Sequence, residues 1–242
     1  MVDAWDTVDL GRMAYAAALE LQREVNFSVS RGEAGPTVLL VEHEPVITVS
    51  QRRGAGEHLL ASEARLAELG IEVRDTDRGG DITYHGPGQL VAYPIVRLGD
   101  FGLNLGRYMR ALERAVIAAV GGFGVVGVTE AGATGVWVGA EAADAVGGRE
   151  TAKLCAMGVR VRKNTTMHGL ALNVTTDLSH FETIDPCGLG GRAVTSLERL
   201  LGDACPSMAE VKSALVAALR DELTGAGRGV EPASVAWPGG GR

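Results

Sequence analysis

Apolar positions recur along the chain in two periods, and their succession lays out helices and strands in turn. Leu10, Ala14, Ala17, Leu21 and Val25 fall at helical spacing behind Asp9, which predicts a first helix capped by that aspartate. Thr37-Val38-Leu39-Leu40-Val41 reads as a buried strand, and Val46-Ile47-Thr48-Val49 follows the His43-Glu44-Pro45 turn. Ser62 to Leu69 is predicted as a short helix that Gly70 terminates. Ile71-Glu72-Val73 then leads to a glycine-rich segment, and Gln89 to Ile95 is a further strand. A long helix is expected from Asn104 to Val120, with Leu105, Met109, Leu112, Val116 and Ala119 on one face and Gly121-Gly122 as its stop.

The second half continues the alternation. Val136-Trp137-Val138 and Lys153 to Val161 are predicted strands joined by a Gly/Ala-rich loop, Gly139 to Gly148, and Gly169 to Val174 is another strand. A capping box, Ser207-x-x-Glu210, opens a helix with Val211, Leu215, Ala218 and Glu222 in register. From Gly225 onward no periodicity remains, so a disordered tail over 225–242 is expected behind a single domain over 1–224. The element order implies an α/β domain with a mixed β-sheet flanked by helices.

Composition narrows the classes. A chain of 242 residues can bury a substantial core, and 46% apolar with 22% charged residues is ordinary for a globular protein. No apolar run reaches the length of a membrane span, and Met1 to Asp6 lacks the basic and apolar regions of a signal peptide, so a cytoplasmic protein is expected, with a monomer as the default. A formal charge of −7 argues against nucleic acid as a partner. Arg52-Arg53 and Arg160-x-Arg162-Lys163 are either local basic patches for an acidic protein or scattered solvated charges. The cysteines, Cys155, Cys187 and Cys205, show neither disulfide-framework nor zinc spacing.

Two segments carry the chemistry. Arg78-Gly79-Gly80-Asp81-Ile82-Thr83-Tyr84-His85-Gly86-Pro87-Gly88-Gln89 surrounds a short strand with glycines, which suits a backbone lying against an extended ligand. It has neither the Lys-Ser/Thr ending of a P-loop nor the strand–GxGxxG–helix context of a dinucleotide site. Asp185-Pro186-Cys187-Gly188 presents a thiol beside a residue with no side chain to block an approaching carbonyl. Cys187 is thus either a nucleophile or a small buried hydrophobe. A nucleophilic thiol needs an activator. Lys153 begins a strand in which alternation groups it with Cys155, Met157, Val159 and Val161; it is either at an edge or held inward as acid and base. His85 and His168, each next to a glycine, line a pocket or serve structure, and a Cys187/His85/His168 metal site lacks compact ligand spacing. His43, His58 and His180 read as structural or surface residues.

Several motifs in order resemble one family. Arg78-Gly-Gly-x-x-Thr83-Tyr84-His85-x-x-Gly88-Gln89-x-Val91-x-Tyr93 is similar to the signature of the lipoyl(octanoyl) transferases. Glu42-His43-x-Pro45-Val46, Gly135-Val136-Trp137, Lys153-x-x-Ala156-Met157-Gly158-Val159-Arg160, His168-Gly169-x-Ala171-Leu172-Asn173, Asp177-Leu178-x-x-Phe181, Pro186-Cys187-Gly188 and Val194-Thr195-Ser196-Leu197 agree with it. The resemblance implies a biotin/lipoate protein ligase-like fold and octanoyl transfer from octanoyl-acyl carrier protein to a lysine of lipoyl domains. Acceptors would be 2-oxoacid dehydrogenase E2 subunits and the glycine-cleavage H protein. It implies that Cys187 carries an acyl thioester and that Lys153 lowers the thiol pKa and acts as acid and base. Acyl-chain contacts are implied at Arg78, Gly79, Gly80, Asp81, Ile82, Thr83, Tyr84 and His85, at Ala156, Met157 and Gly158, and at Gly169, Leu170 and Ala171. No cofactor, metal or ATP is implied, because the incoming thioester is already activated. Three departures stand out: Ser50 where glycine is expected, a long loop between Trp137 and Lys153, and Cys155 in place of a small residue. Cys155 is either inert filling or a partner for an off-pathway disulfide with Cys187.

Overall fold

The computed structural model describes residues 5–139, 151–185, 192–225 and 234–235. Its main body is a mixed sheet. Strand β1 (Asp6–Met13) runs parallel to β2 (Thr37–His43). Strands β6 (Gln89–Ile95), β10 (Thr165–Asn173), β9 (Ala152–Arg162), β8 (Ala133–Val138) and β7 (Gly127–Glu130) then follow as antiparallel neighbours. Short β11 (Ala193–Val194) lies parallel to β9, and β12 (Ser234–Val235) parallel to β7. A second sheet of three strands, β3 (Val46–Ser50) between β4 (Glu72–Thr76) and β5 (Ile82–His85), is docked beside it.

Helices cover both faces of the large sheet. On one side α3 (Leu105–Gly121) and α5 (Met208–Thr224) close over Val38, Leu40, Leu90, Ala92, Leu172 and Val136. On the other, α1 (Tyr15–Arg31) packs against β2, β6 and β10, where Val29, Leu39, Val41, Val91 and Tyr93 meet. The short helices α2 (Glu63–Leu69) and α4 (Leu197–Leu201) complete the described chain. Helix α1 starts behind Ala14 without a side-chain cap, whereas later helices use the local chemistry their sequence offers. Asn104, Ser62 and Ser207 accept hydrogen bonds from the third residue of their helices, and Glu210 closes the Ser207 capping box. Gly70 ends α2 in the left-handed conformation, as expected.

The first helix is a correction. Residues expected to begin it, Asp9 onward, form the edge strand β1, and α1 starts only at Tyr15. The Asp9 carboxylate does accept a backbone N–H, but from Gly11 at 3.0 Å, inside a bulge where the β1–β2 register shifts. Ala14 and Ala17 are exposed, and the buried stripe of α1 is Tyr15, Ala18, Leu19, Gln22 and Val29. The predicted face of α3 also divides. Leu112, Val116 and Ala119 enter the core, whereas Leu105 is exposed and Met109 half-buried at the end of the helix nearest a cavity. The loop expected between Gly139 and Gly148 lies outside the described residues except Gly139, and the predicted tail does so except Gly225 and the β12 pair.

Candidate active site

A cavity of about 520 Å³ opens where the glycine-rich segment, the β9–β10 hairpin and the start of α3 meet. Glycine is required at its walls. At Gly158 a Cβ would stand 2.5 Å from Gly79 O, and at Gly169 it would collide with Ala92 O, so in both places the backbone occupies the space of a side chain. Gly79 N–H donates to Val159 O at 2.9 Å, which lays the Arg78–Asp81 loop along β9. The other side of that loop is pinned to β3. The Arg78 guanidinium donates to Thr48 O at 2.9 Å and to Gly79 O at 3.0 Å, and Ser50 Oγ donates to Gly80 O at 2.9 Å. Ser50 therefore gives the loop an extra tether that glycine at this position would lack. Asp81 is buried, accepts from Ile82 N–H at 2.8 Å and pairs with His58 at 2.8 Å and Arg52 at 3.5 Å.

The expected contact residues are brought together, with one exception. Arg78 to Thr83, His85, Ala156, Met157, Gly158, Gly169, Leu170 and Ala171 all border the cavity, as does Lys153. Tyr84 is turned away from it. Side chains alternate along β5, so Thr83 and His85 face the cavity while Tyr84 enters the cluster of Ile47, Leu66 and Ile71. Its hydroxyl is hydrogen-bonded to His180 at 2.7 Å, and burial pushes its pKa up to about 12.

Lys153 faces inward beside Trp137. A bulge at Leu154 shifts the β8–β9 register, so Lys153 pairs with Trp137 and Cys155 with Val136. The bulge overturns the expectation that Lys153 and Cys155 share a face. Cys155 is fully buried in the α3 core, where desolvation pushes its thiol well up. Lys153 Nζ lies 4.5 Å from the Trp137 ring centre, over a strand segment where Gly135 leaves room for its stem. Arg192 uses the same indole at 4.3 Å and ion-pairs with buried Glu130. Cys187 lies outside the described residues. The chain flanking it is held on both sides: Asp185 N–H donates to His58 O at 2.8 Å, and Val194 pairs with Lys153.

A polar network that sequence reasoning missed backs the cavity. His43 Nδ1–H donates to Met13 O at 3.1 Å and leaves Nε2 to accept from the Tyr93 hydroxyl at 2.6 Å. His85 Nδ1–H donates to Gln89 Oε1 at 2.7 Å, Gln89 Nε2–H to Asn173 Oδ1 at 2.9 Å, and Asn173 Nδ2–H to Thr195 O at 2.9 Å. Thr195 N–H in turn donates to Lys153 O, so the relay ends on the strand that carries the lysine. Desolvation by burial, the largest cause in each, lowers His43 to about 4 and His85 and His168 to about 3, keeping all three imidazoles neutral. His168 holds φ at +57°, a left-handed backbone that costs a non-glycine residue about 1 kcal/mol or more. Among the described residues no His, Cys, Asp and Glu group has the arrangement of a metal site.

The fold places the chain among lipoate and biotin protein ligase catalytic domains. A bipartite lipoate protein ligase from Thermoplasma acidophilum superposes with a TM-score of 0.70 at 15% identity, over 97% of this chain and 87% of that one. A lipoate-protein ligase A solved with ATP gives 0.69 at 14%, over 97% and 89%. The family described as lipoyl protein ligase A/B catalytic domain matches residues 14–220. An octanoyltransferase of Chloroflexus aurantiacus is 49% identical over 209 residues, covering 86% of this chain and 89% of the relative. One of Roseiflexus is 45% identical over 204 residues, covering 83% and 81%. The chain belongs to the octanoyltransferases of this family, and is an acyltransferase.

Proposed function

We propose that the chain transfers octanoyl groups through a thioester on Cys187, with Lys153 as the proton-handling partner. The observation that carries this reading is Lys153 itself: an inward lysine on the wall of a cavity whose glycine-lined walls admit an extended acyl chain. In the first half-reaction the Cys187 sulfur attacks the thioester carbonyl of octanoyl-acyl carrier protein. Its proton passes to the Lys153 amine, and the carrier thiolate leaves and takes up a proton. In the second, the ε-amine of an acceptor lysine attacks the acyl-enzyme. The amide forms, and Cys187 is released as the leaving thiol. One thioester is exchanged for another at little cost, and amide formation then drives the reaction, so neither step needs ATP. An unperturbed thiol is only a few per cent ionised at neutral pH, which is the deficit Lys153 corrects.

Acceptors on this reading are lipoyl domains, with 2-oxoacid dehydrogenase E2 subunits and the glycine-cleavage H protein as the candidates. The bipartite ligase that shares this fold was studied together with its E2 lipoyl domain. We place the reaction in the cytoplasm and the enzyme as a monomer; among the described residues no helix is long and apolar enough to cross a membrane.

Intact-protein mass spectrometry after mixing with octanoyl-acyl carrier protein, without ATP, tests the route. One octanoyl adduct is expected, labile to hydroxylamine and absent from Cys187→Ala. Lys153→Arg keeps a positive charge but does not deprotonate and so cannot shuttle a proton, and turnover should fall by about 10²–10⁴-fold. An adduct that persists in Cys187→Ala would overturn Cys187 as the acylated residue; no adduct, with transfer only when ATP and free octanoate are supplied, would move the assignment to a ligase.

A further inference from the structure

The loop that walls the cavity is fixed to β3 by Arg78 and Ser50, to the segment 52–58 by Asp81, and to the facing hairpin by the Gly79 N–H and the Asp77 side chain. Asp77 stands immediately before Arg78. Its Oδ1 accepts from His168 Nε2–H at 2.7 Å, and its other oxygen ion-pairs with Arg160. His168 and Arg160 sit on β10 and β9, one residue apart in the hairpin register, so a single carboxylate grips both strands. The left-handed backbone at His168 accompanies this grip, and its own N–H goes to Gln22 Oε1 at 3.0 Å. Gly79 and Gly80 border the cavity from the loop, and Gly158, Val159, His168 and Gly169 from the hairpin. Gly79 meets Gly158 and Val159 directly, so the loop and the hairpin form one continuous wall, and where the loop sits on the hairpin shapes the cavity there.

We propose that Asp77 is the specificity-determining positioning residue of this enzyme: by clamping the glycine loop to His168 and Arg160 it fixes where the loop wall of the acyl slot stands, and so the chain length accepted. The inference rests on the acyl-transfer reading above. It adds a residue that touches no substrate. The chemistry of the clamp fits the task, because a carboxylate between a neutral imidazole and a guanidinium is held from two directions and resists sliding along either strand. A slot fixed in this way discriminates by fit, and a misfitted methylene is worth about 10–200-fold. Slackening the wall should therefore weaken the preferred chain and spare longer ones.

The test uses Asp77→Asn, which keeps an acceptor for His168 but loses the charge facing Arg160, with Arg160→Gln and Asp77→Ala beside it. Binding of hexanoate, octanoate and dodecanoate is measured by titration calorimetry. Transfer from the corresponding acyl-carrier-protein thioesters is measured separately. The wild type should prefer one length, and Asp77→Asn and Arg160→Gln should flatten that preference by about tenfold, through KM rather than kcat. Unchanged length discrimination in both variants overturns the proposal, as does a wild type that binds all three lengths equally. Should Asp77→Ala fail to fold, the two milder variants still decide. If the wild type transfers no acyl group while its binding preference still flattens in Asp77→Asn, the transfer reading has failed and the slot assignment stands.

Discussion

Alternate residues of β6 and β10 go to two unlike places. Leu90, Ala92 and Leu172 enter a dry core beneath α3 and α5. Gln89, Tyr93 and Asn173, their neighbours in the chain, turn to the opposite face and back the cavity with hydrogen-bonded polar groups. Both sets are buried, so burial alone does not distinguish a core from a site. The dry face is organised by volume, which any well-fitting apolar set can fill. The polar face is organised by direction: each donor is aimed at one acceptor, and the relay from His85 to Thr195 has a single orientation. A change on the first face should alter stability and leave chemistry intact. A change on the second should alter both.

Leu172→Ala breaks the comparison hardest on the stability side. The residue is fully buried, so the truncation should cost about 2–5 kcal/mol, read as a shift in the urea midpoint. Acyl transfer per folded molecule, assayed well below the melting temperature, should stay close to wild type. Transfer that falls in step with stability would erase the distinction between the faces.

Gln89→Leu probes the opposite face with nearly the same side-chain volume. It strands the His85 Nδ1–H and Asn173 Oδ1 and removes a donor to Tyr84 O, so it should cost about 1–3 kcal/mol. Acyl transfer should drop further than that loss explains, because the relay ends on the Lys153 strand. Thermal melts and single-turnover acylation on the same preparation separate the two effects.

The sequence resolved this division unevenly. Elements whose start and stop are chemical, such as Ser62 with Gly70 or the Ser207–Glu210 box, were legible because capping is local. Asp9 misled for the same reason: its side chain caps a backbone N–H, but in a bulge, and only the pairing of β1 with β2 distinguishes bulge from helix. The glycine loop was readable as a ligand wall, whereas alternation alone left Lys153 between a sheet edge and an inward position that the fold decides. Tyr84 was misplaced because a contiguous motif hides the alternation of the strand beneath it. Lys153 and Cys155 were assigned to one face because a period of two has no means of registering the bulge at Leu154. The polar relay was beyond reach, since Gln89, Asn173 and Thr195 meet only when two distant strands and a loop are folded together.

A third effect of the polar face shows only when the pH is changed. His43, His85 and His168 are buried neutral, with pKa values lowered to about 4, 3 and 3, whereas the unfolded chain protonates its histidines near pH 6.5. Between about pH 6.5 and 4 the unfolded state therefore binds more protons than the folded one, and stability falls as the pH falls. Each imidazole contributes at most about 1.4 kcal/mol per pH unit in that window. Asp9, Asp177 and Glu210, whose pKa values are lowered, act only at the acid end, as pH falls through their own range. Glu113, pushed up by burial, has the opposite sign and flattens the slope slightly near its lower edge. Denaturation by urea at a series of pH values should show the slope, and His85→Gln should reduce it by one imidazole's share while leaving the dry face untouched. A slope identical in wild type and His85→Gln would mean that His85 is not held neutral on the polar face, and that the directional reading of the relay is wrong at its first donor.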